Sequence, residues 1–304
     1  TRIAKRLGRT VSTVSREVHA RCQYRRCYRA VRSHDQALEA RHRQKQIKQL
    51  DRYHLLQAYV FSRLRLGWSP QQIAVRLKIE YAHAMTMRIS HESIYTYIYC
   101  LTRGSLRKEL IRCLRQERNL RNQRNKSHSR RGAIQDAISI HERPHETADR
   151  TVPGHWEGDL VMGSMVSNSA IGTLVERTTR YLLLVPLSAH DAYTVRTAFA
   201  QAVQHIPRHL KYSLTYDRGS EMAQHRLFTQ ATKIQVYFAD PHSPWQRGTN
   251  ENTNGLLRQY FPKGIDFTTV THADIQRIQE RLNDRPRKSL GFRTPTEVFS
   301  QLLS

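Results

Sequence analysis

The sequence predicts an α+β fold: an all-α, basic N-terminal half, then an α/β core with a five-stranded mixed sheet and flanking helices. Three observations predict it. Five short apolar or β-branched runs lie between residues 155 and 238, and after the third they alternate with stretches of helical period. Helix-capping signals open several segments of the first half. Charge is segregated: residues 1–150 carry 33 Lys and Arg against 12 Asp and Glu, whereas 151–304 carry 17 against 13.

In chain order, residues 1–30 are read as a partial helix-turn-helix. Ile3–Val18 offers a short helix with Ala4 for close crossing, a turn at Gly8, and a second helix that Ser12 is expected to cap and Val14 to anchor. Such a motif lays its second helix in the major groove of DNA, with Thr13, Ser15 and Arg16 as the residues to meet bases or phosphates. A plain amphipathic helix pair is the other reading. A preceding helix is expected to complete the motif.

Residues 31–102 are read as a helical segment and a second helix-turn-helix-like module. A basic, helical segment is expected from about Ala30 to Phe61. Ser69, Pro70 and Gln72 form a cap-and-first-turn signature for the helix through Leu77, and Ser90 opens a recognition-type helix to Tyr99. Ile94, Tyr95 and Ile98 have core spacing in it. Residues 103–150 are read as a basic linker, with Arg103, Arg107, Lys108 and Arg112 followed by further arginines to Arg131. From 151 to 304, strands are expected at His155–Met162, Ala170–Glu176, Tyr181–Leu187, Ser213–Tyr216 and Ile234–Phe238. Helices are expected at Ala192–Gln204, Glu221–Thr232, Glu251–Tyr260 and His272–Asn283. Three strands in succession, then alternating helix and strand, place the first strand centrally beside the fourth.

A formal charge of +25 and a pI near 10.6 suit a polyanion tracked by its phosphates. No apolar run approaches the ~20 residues of a spanning helix, so no membrane partner is expected. Four scattered cysteines suit a reducing cytosol better than a disulfide framework. His19, Cys22 and Cys27 match no common zinc spacing. No signal peptide is expected.

Three acids carry the chemistry. Asp159 lies in the apolar run His155–Met162, Asp217 follows a strand just before Gly219, and Glu251 stands early in a helix. Two carboxylates at strand positions and one on a helix can converge on a pair of divalent cations, Mg²⁺ or Mn²⁺, which take hard oxygen ligands. Glu157, on the same strand face as Asp159, and Glu221 are the rival carboxylates. Arg247, Asn250, Asn254, Arg258 and Lys263 flank Glu251 as candidate DNA contacts, with Asn254 and Arg258 one and two helical turns beyond it. Trp156 and Trp245 are read as packing residues.

Several blocks resemble a known family. Trp156-Glu157-Gly158-Asp159, Gly172-Thr173-Leu174-Val175-Glu176-Arg177, Ser243–Asn252, Tyr260–Gly264 and Leu282–Lys288 look like the bacterial insertion-sequence transposases of the IS-thirty family. The 33 residues between Asp217 and Glu251 also match its spacing. The resemblance implies a ribonuclease H-like core, shared with retroviral integrases, behind helix-turn-helix segments. It further implies Asp159, Asp217 and Glu251 as catalytic metal ligands. Asp159 would bridge two Mg²⁺ ions ~3.5–4 Å apart, with Asp217 on one and Glu251 on the other. The implied reaction is cleavage at the terminal inverted repeats and strand transfer into double-stranded target DNA, through joined-end or circular intermediates. A homo-oligomeric synapse and a cytoplasmic, nucleoid-associated setting in a bacterium follow from it. Where the family usually has Asp-Asn-Gly, this chain has Asp217-Arg218-Gly219, which sets a cation beside a metal ligand. Two other readings therefore stay open: a catalytically inactive helix-turn-helix regulator derived from a transposase, and a metal-dependent nuclease without strand transfer.

Overall fold

Five strands stand where the sequence predicts them, in a sheet of order β3-β2-β1-β4-β5. In the computed structural model they are β1 (His155–Met162), β2 (Ala170–Glu176), β3 (Leu182–Leu187), β4 (Ser213–Tyr216) and β5 (Gln235–Phe238). The structure describes residues 2–21, 28–35, 49–102, 104–114, 134–147, 149–164, 166–167, 169–241 and 243–303. The chain divides into two compact units, Thr1–Tyr59 and Val60–Ser304.

In the first unit, α1 (Arg2–Arg6) and α2 (Val11–Arg21) are joined through Gly8, whose φ of +59° suits a residue without a Cβ. Ala4 is buried, as close crossing requires. The cap is Thr10 and not Ser12: the Thr10 hydroxyl accepts from the Thr13 amide at 3.3 Å, so the helix begins before Ser12 is reached. Thr13 and Arg16 are exposed, whereas Ser15 and Val14 are half-buried. The described parts of the helical segment expected from about Ala30 to Phe61 are several helical pieces. Residues 30–35 are helical, and α3 (Gln49–Arg52) and α4 (His54–Arg65) are separated at Tyr53. Cys22 and Cys27 lie outside the described residues, as do Arg103 and most of the basic run to Arg131.

The second unit opens with α5 (Pro70–Glu80), α6 (His91–Cys100) and α7 (Ser105–Arg112). Ser69 and Gln72 form the expected capping box, and Ser90 accepts from the Ser93 amide at 3.0 Å. Ile73, Leu77, Ile94, Tyr97 and Ile98 are buried, while Tyr95 is half-buried. Helix α5 is docked on the C-terminal segment. Arg76 grips Glu297 with both terminal nitrogens, at 3.0 and 2.7 Å, and Gln72 donates to the Pro286 carbonyl at 2.6 Å.

Alternation along the strands divides the core into two layers. Trp156, Leu174, Leu214 and Tyr216 face α8 (Ala192–Ala202) and α9 (His225–Thr232), with Phe199 and Phe228 buried among them. Val161, Ile171, Val175 and Leu182 face α10 (Gly248–Leu257) and α11 (His272–Asn283), with Leu256 and Leu257. Both sheet edges are covered, which blocks strand pairing with another chain. At β3, the Asn283 side chain accepts from the Leu182 amide and donates to its carbonyl, both at 2.9 Å, and Gln279 accepts from the Leu184 amide. At β5, Phe238 donates to the Ile138 carbonyl at 2.8 Å, and Ile134 and Ala137 pack on the core. The stretch expected to run as a linker to residue 150 thus packs on the core at Ile134 and Ala137 and is bonded to the sheet at Ile138. Its apolar Ile134, Ala137 and Ile140 explain the difference.

His155 at the start of β1 is buried, 2.7 Å from the Ser213 hydroxyl. Burial, and then the charges of Arg177 and Arg143, lower its pKa to about 4. The unfolded chain therefore binds the proton first, and the contribution is complete above about pH 6.5 and lost as pH falls toward 4. On the order of 3 kcal/mol is involved at ~1.4 kcal/mol per pH unit. Urea midpoints are expected to drop across that window, and His155→Asn to flatten the dependence; parallel curves for the two proteins would refute this.

Candidate active site

The site is assembled on the face of β1 that looks at α10. Glu157 and Asp159 share that face, and the parallel register Glu157↔Thr215 carries Asp217, two residues past Thr215, alongside Asp159. Gly158 between them is required because a Cβ there would strike the Tyr216 ring, which lies on the opposite face. The Tyr216 hydroxyl is buried without a hydrogen-bond partner among the described residues. Burial, and then the charges of Glu221, Asp159 and Asp217, push its pKa well up.

The two aspartates meet on one guanidinium. Arg247 places Nη1 3.4 Å from Asp159 Oδ1 and Nη2 3.6 Å from Asp217 Oδ2, and donates to the Gly158 carbonyl at 3.1 Å. Its side chain is 10% exposed, so Arg247 is not the outward DNA contact the sequence suggested; the nearest anions are the site's own carboxylates. Burial raises the Asp159 pKa, Arg247 opposes the rise, and Asp217 adds to it. Arg218, the departure from the family pattern, is exposed, and its charge is felt at Asp240.

Helix α10 is pinned by its first turn. Glu157, fully buried, accepts from the Asn250 amide at 2.9 Å and from Arg177 Nε at 2.9 Å; Arg177 also donates to the Thr147 carbonyl. A carboxylate thus satisfies one of the amides a helix start leaves open, inside the protein. Asn250 is fully buried too, its Oδ1 3.0 Å from the Thr173 hydroxyl, which corrects its reading as a DNA contact. The preceding loop is closed by Gln246, which accepts from the Asp240 amide and donates to its carboxylate, both at 2.8 Å. That lock leaves Trp245 72% exposed, against its reading as a packing residue; Trp156 is buried as expected.

Glu251 is exposed in the first turn of α10. Asn254, three residues after it, lies on its stripe, and both Asn254 and Arg247, the residue that opens the helix, touch Asp159: Asn254 Nδ2 donates to Oδ2 at 2.9 Å. Asn254 therefore holds an acid of the site. Arg258 is half-buried and donates to the Met162 carbonyl at 2.9 Å, while Lys263 is exposed. Among the described residues, no three acidic, His or Cys side chains gather closely enough to hold one ion. The structure joins Asp159 to Asp217 through Arg247 and sets Glu251 one turn before Asn254 in α10. Glu221 instead folds over Gly219, where a Cβ would meet its carboxylate. Sequence reasoning gave Glu157 no bond and Arg177 no role. Their signal was an acid and a cation in two apolar strand-flanking runs, where an unpaired charge would be costly.

An integrase core domain matches residues 149–244, which takes in Asp159 and Asp217 and ends before Glu251. The transposase for insertion sequence element IS1086 of Cupriavidus metallidurans is 43% identical over 302 residues, covering 99% of this chain and 89% of that protein. The chain belongs to the IS30 family of insertion-sequence transposases. Transposase InsI for insertion sequence element IS30A of Escherichia coli is 42% identical, with 98% of this chain and 78% of that protein covered. The transposase for IS4351 of Bacteroides fragilis is 34% identical over 99% of this chain and 90% of its own. The catalytic core of BIV integrase covers 49% of this chain at 18% identity and a TM-score of 0.38, too distant to bear on the site. Like the sequence, the described residues of this IS30-family chain contain no helix long and apolar enough to cross a membrane.

Proposed function

We propose that the chain is a DNA transposase that cuts at the terminal inverted repeats of its element and joins the freed ends to target DNA, with Asp159, Asp217 and Glu251 as its catalytic metal ligands. The observation that carries this is the convergence of Asp159 and Asp217 on the Arg247 guanidinium: two carboxylates already share one cation, and the helix whose Asn254 donates to Asp159 carries the exposed third acid in its first turn. The donor set fits Mg²⁺ or Mn²⁺, which prefer carboxylate oxygens and keep several waters, so few protein ligands suffice. When bound, such ions would activate the attacking oxygen and stabilise the departing 3′-oxygen.

The chain's own residues do the positioning. Asn254 fixes one oxygen of Asp159, Arg247 offsets the repulsion of the two aspartates, and Glu157 anchors the helix that presents Glu251. Thr13, Ser15 and Arg16 on α2 are proposed to meet the terminal repeats, and Lys263 to contact DNA near the cut. Two element ends must be brought together, so a homo-oligomer is part of this reading. Retention of all three acids in a chain that meets a polyanion favours the enzyme over a regulator that only binds.

The test is nicking and joining of labelled duplex bearing the element's own terminal repeats, with Mg²⁺ or Mn²⁺ and with chelator. Metal-dependent nicking and joining is expected; binding with neither reaction would leave the regulator, and nicking alone the nuclease. Asn254→Ala, which loosens Asp159 without removing a ligand, is expected to lower the joining rate about 10–100-fold, as loss of a ligand's hydrogen-bond partner typically does. An unchanged rate would remove Asn254 from the site.

A further inference from the structure

Helix α10 leads from the acids to a groove of about 850 Å³, walled on one side by the end of α4 and by α7, and on the other by the far half of α10. Arg65 lines it but is answered by Glu109 at 2.6 Å. Lys108 and Arg112 are exposed and form no ion pair among the described residues. Arg258 donates to main-chain carbonyls and has no carboxylate partner among them. Three cations thus line one groove with no acid paired to them among the described residues, Glu109 being taken by Arg65.

Gly255 stands in the wall of this groove, inside α10. Glycine is among the least favourable residues in a helix, and nothing among the described residues calls for one here, in the last turn of α10. A Cβ at 255 would meet no atom within 4 Å, and the backbone does not have a positive φ. The missing side chain thus leaves this stretch of helix surface uncovered among the described residues. It lies one turn beyond Glu251, about 6 Å along the axis at 1.5 Å per residue. That is close to two base-pair steps of duplex at about 3.4 Å each.

We propose that this groove carries the duplex backbone flanking the reacting phosphodiester, with Lys108 and Arg112 on its phosphates and Gly255 leaving room for one to lie against α10. The inference rests on the active-site reading above, because Glu251 marks where the reacting phosphate lies.

The full chain, Lys108→Gln/Arg112→Gln and Gly255→Gln are compared for affinity to labelled duplex between 50 and 200 mM salt, and for melting temperature. Two lost phosphate contacts are expected to reduce the slope of log affinity against log salt by about 1.8. Gly255→Gln is expected to melt no lower than the parent, since glutamine favours helix, yet to bind about tenfold more weakly. Both losses are expected equally on an unrelated duplex. Parental affinity and slope in both variants, or a loss confined to the terminal repeats, overturns the groove. If Gly255→Gln melts early, the exposed double variant decides alone. If the affinities fall as stated while the parent neither nicks nor joins DNA, the transposase reading fails and the groove stands.

Discussion

Glu251→Gln is expected to abolish metal-dependent nicking and joining while leaving the unfolding midpoint and duplex affinity unchanged. The separation follows from where Glu251 stands. It is exposed in the first turn of α10 and forms no hydrogen bond or ion pair among the described residues, so an isosteric amide disturbs no packing. Surface changes of that kind usually stay within about 0.5 kcal/mol. The chemical cost is of another order. An amide offers a metal no charge, and losing a group that works mainly in the transition state costs on the order of 10³-fold or more, about 4 kcal/mol at 1.36 per decade. Gel assays of nicking and joining, beside a urea titration, check both halves. Residual activity within tenfold of the parent would take Glu251 out of the catalytic set.

Glu157→Ala is expected to do the reverse, unfolding the core first and losing activity as a consequence. Glu157 is fully buried and Arg177 beside it is 5% exposed, so truncation strands a guanidinium in the interior. Breaking a buried pair from one side typically costs about 3–5 kcal/mol, far more than the pair contributes relative to an apolar replacement. The Asn250 amide loses its acceptor as well, and with it the start of α10 loses its anchor. Glu157→Gln keeps an acceptor for that amide and is expected to be the milder variant. The readout is the urea unfolding midpoint, and a loss under about 1 kcal/mol for Glu157→Ala would contradict the assigned role.

The two acids lie two residues apart on one strand face, and sequence logic treated Glu157 as a rival to Asp159. Periodicity put them on the same face correctly, but it could not say that one points at an arginine 20 positions later and the other at Arg247 and Asn254. The same blindness misread Arg247. Beside Glu251 in a very basic chain, a cation reads as a phosphate contact, yet its partners come from β1 and the end of β4. Trp245 erred in the opposite sense. An indole suggests burial, and the Asp240–Gln246 lock turns this one outward. At the N-terminus the sequence pointed to Ser12 as the cap, and the cap is Thr10, two residues after the turn at Gly8.

What the sequence by itself determined is local or blockwise: the five strands to within a residue at their ends, the caps at Ser69 and Ser90, the segregation of charge, and the blocks by which the family was recognised. These are legible because alternation, capping chemistry and composition act over a few neighbouring residues. Only the tertiary structure decided which charges neutralise one another. It placed Arg247 between Asp159 and Asp217, buried Glu157 with Arg177 beneath α10, and left Glu251, Lys108 and Arg112 without acidic or basic partners among the described residues. Such pairings depend on burial and on approach within a few ångströms across long sequence separations, and neither is written in the order of residues along the chain.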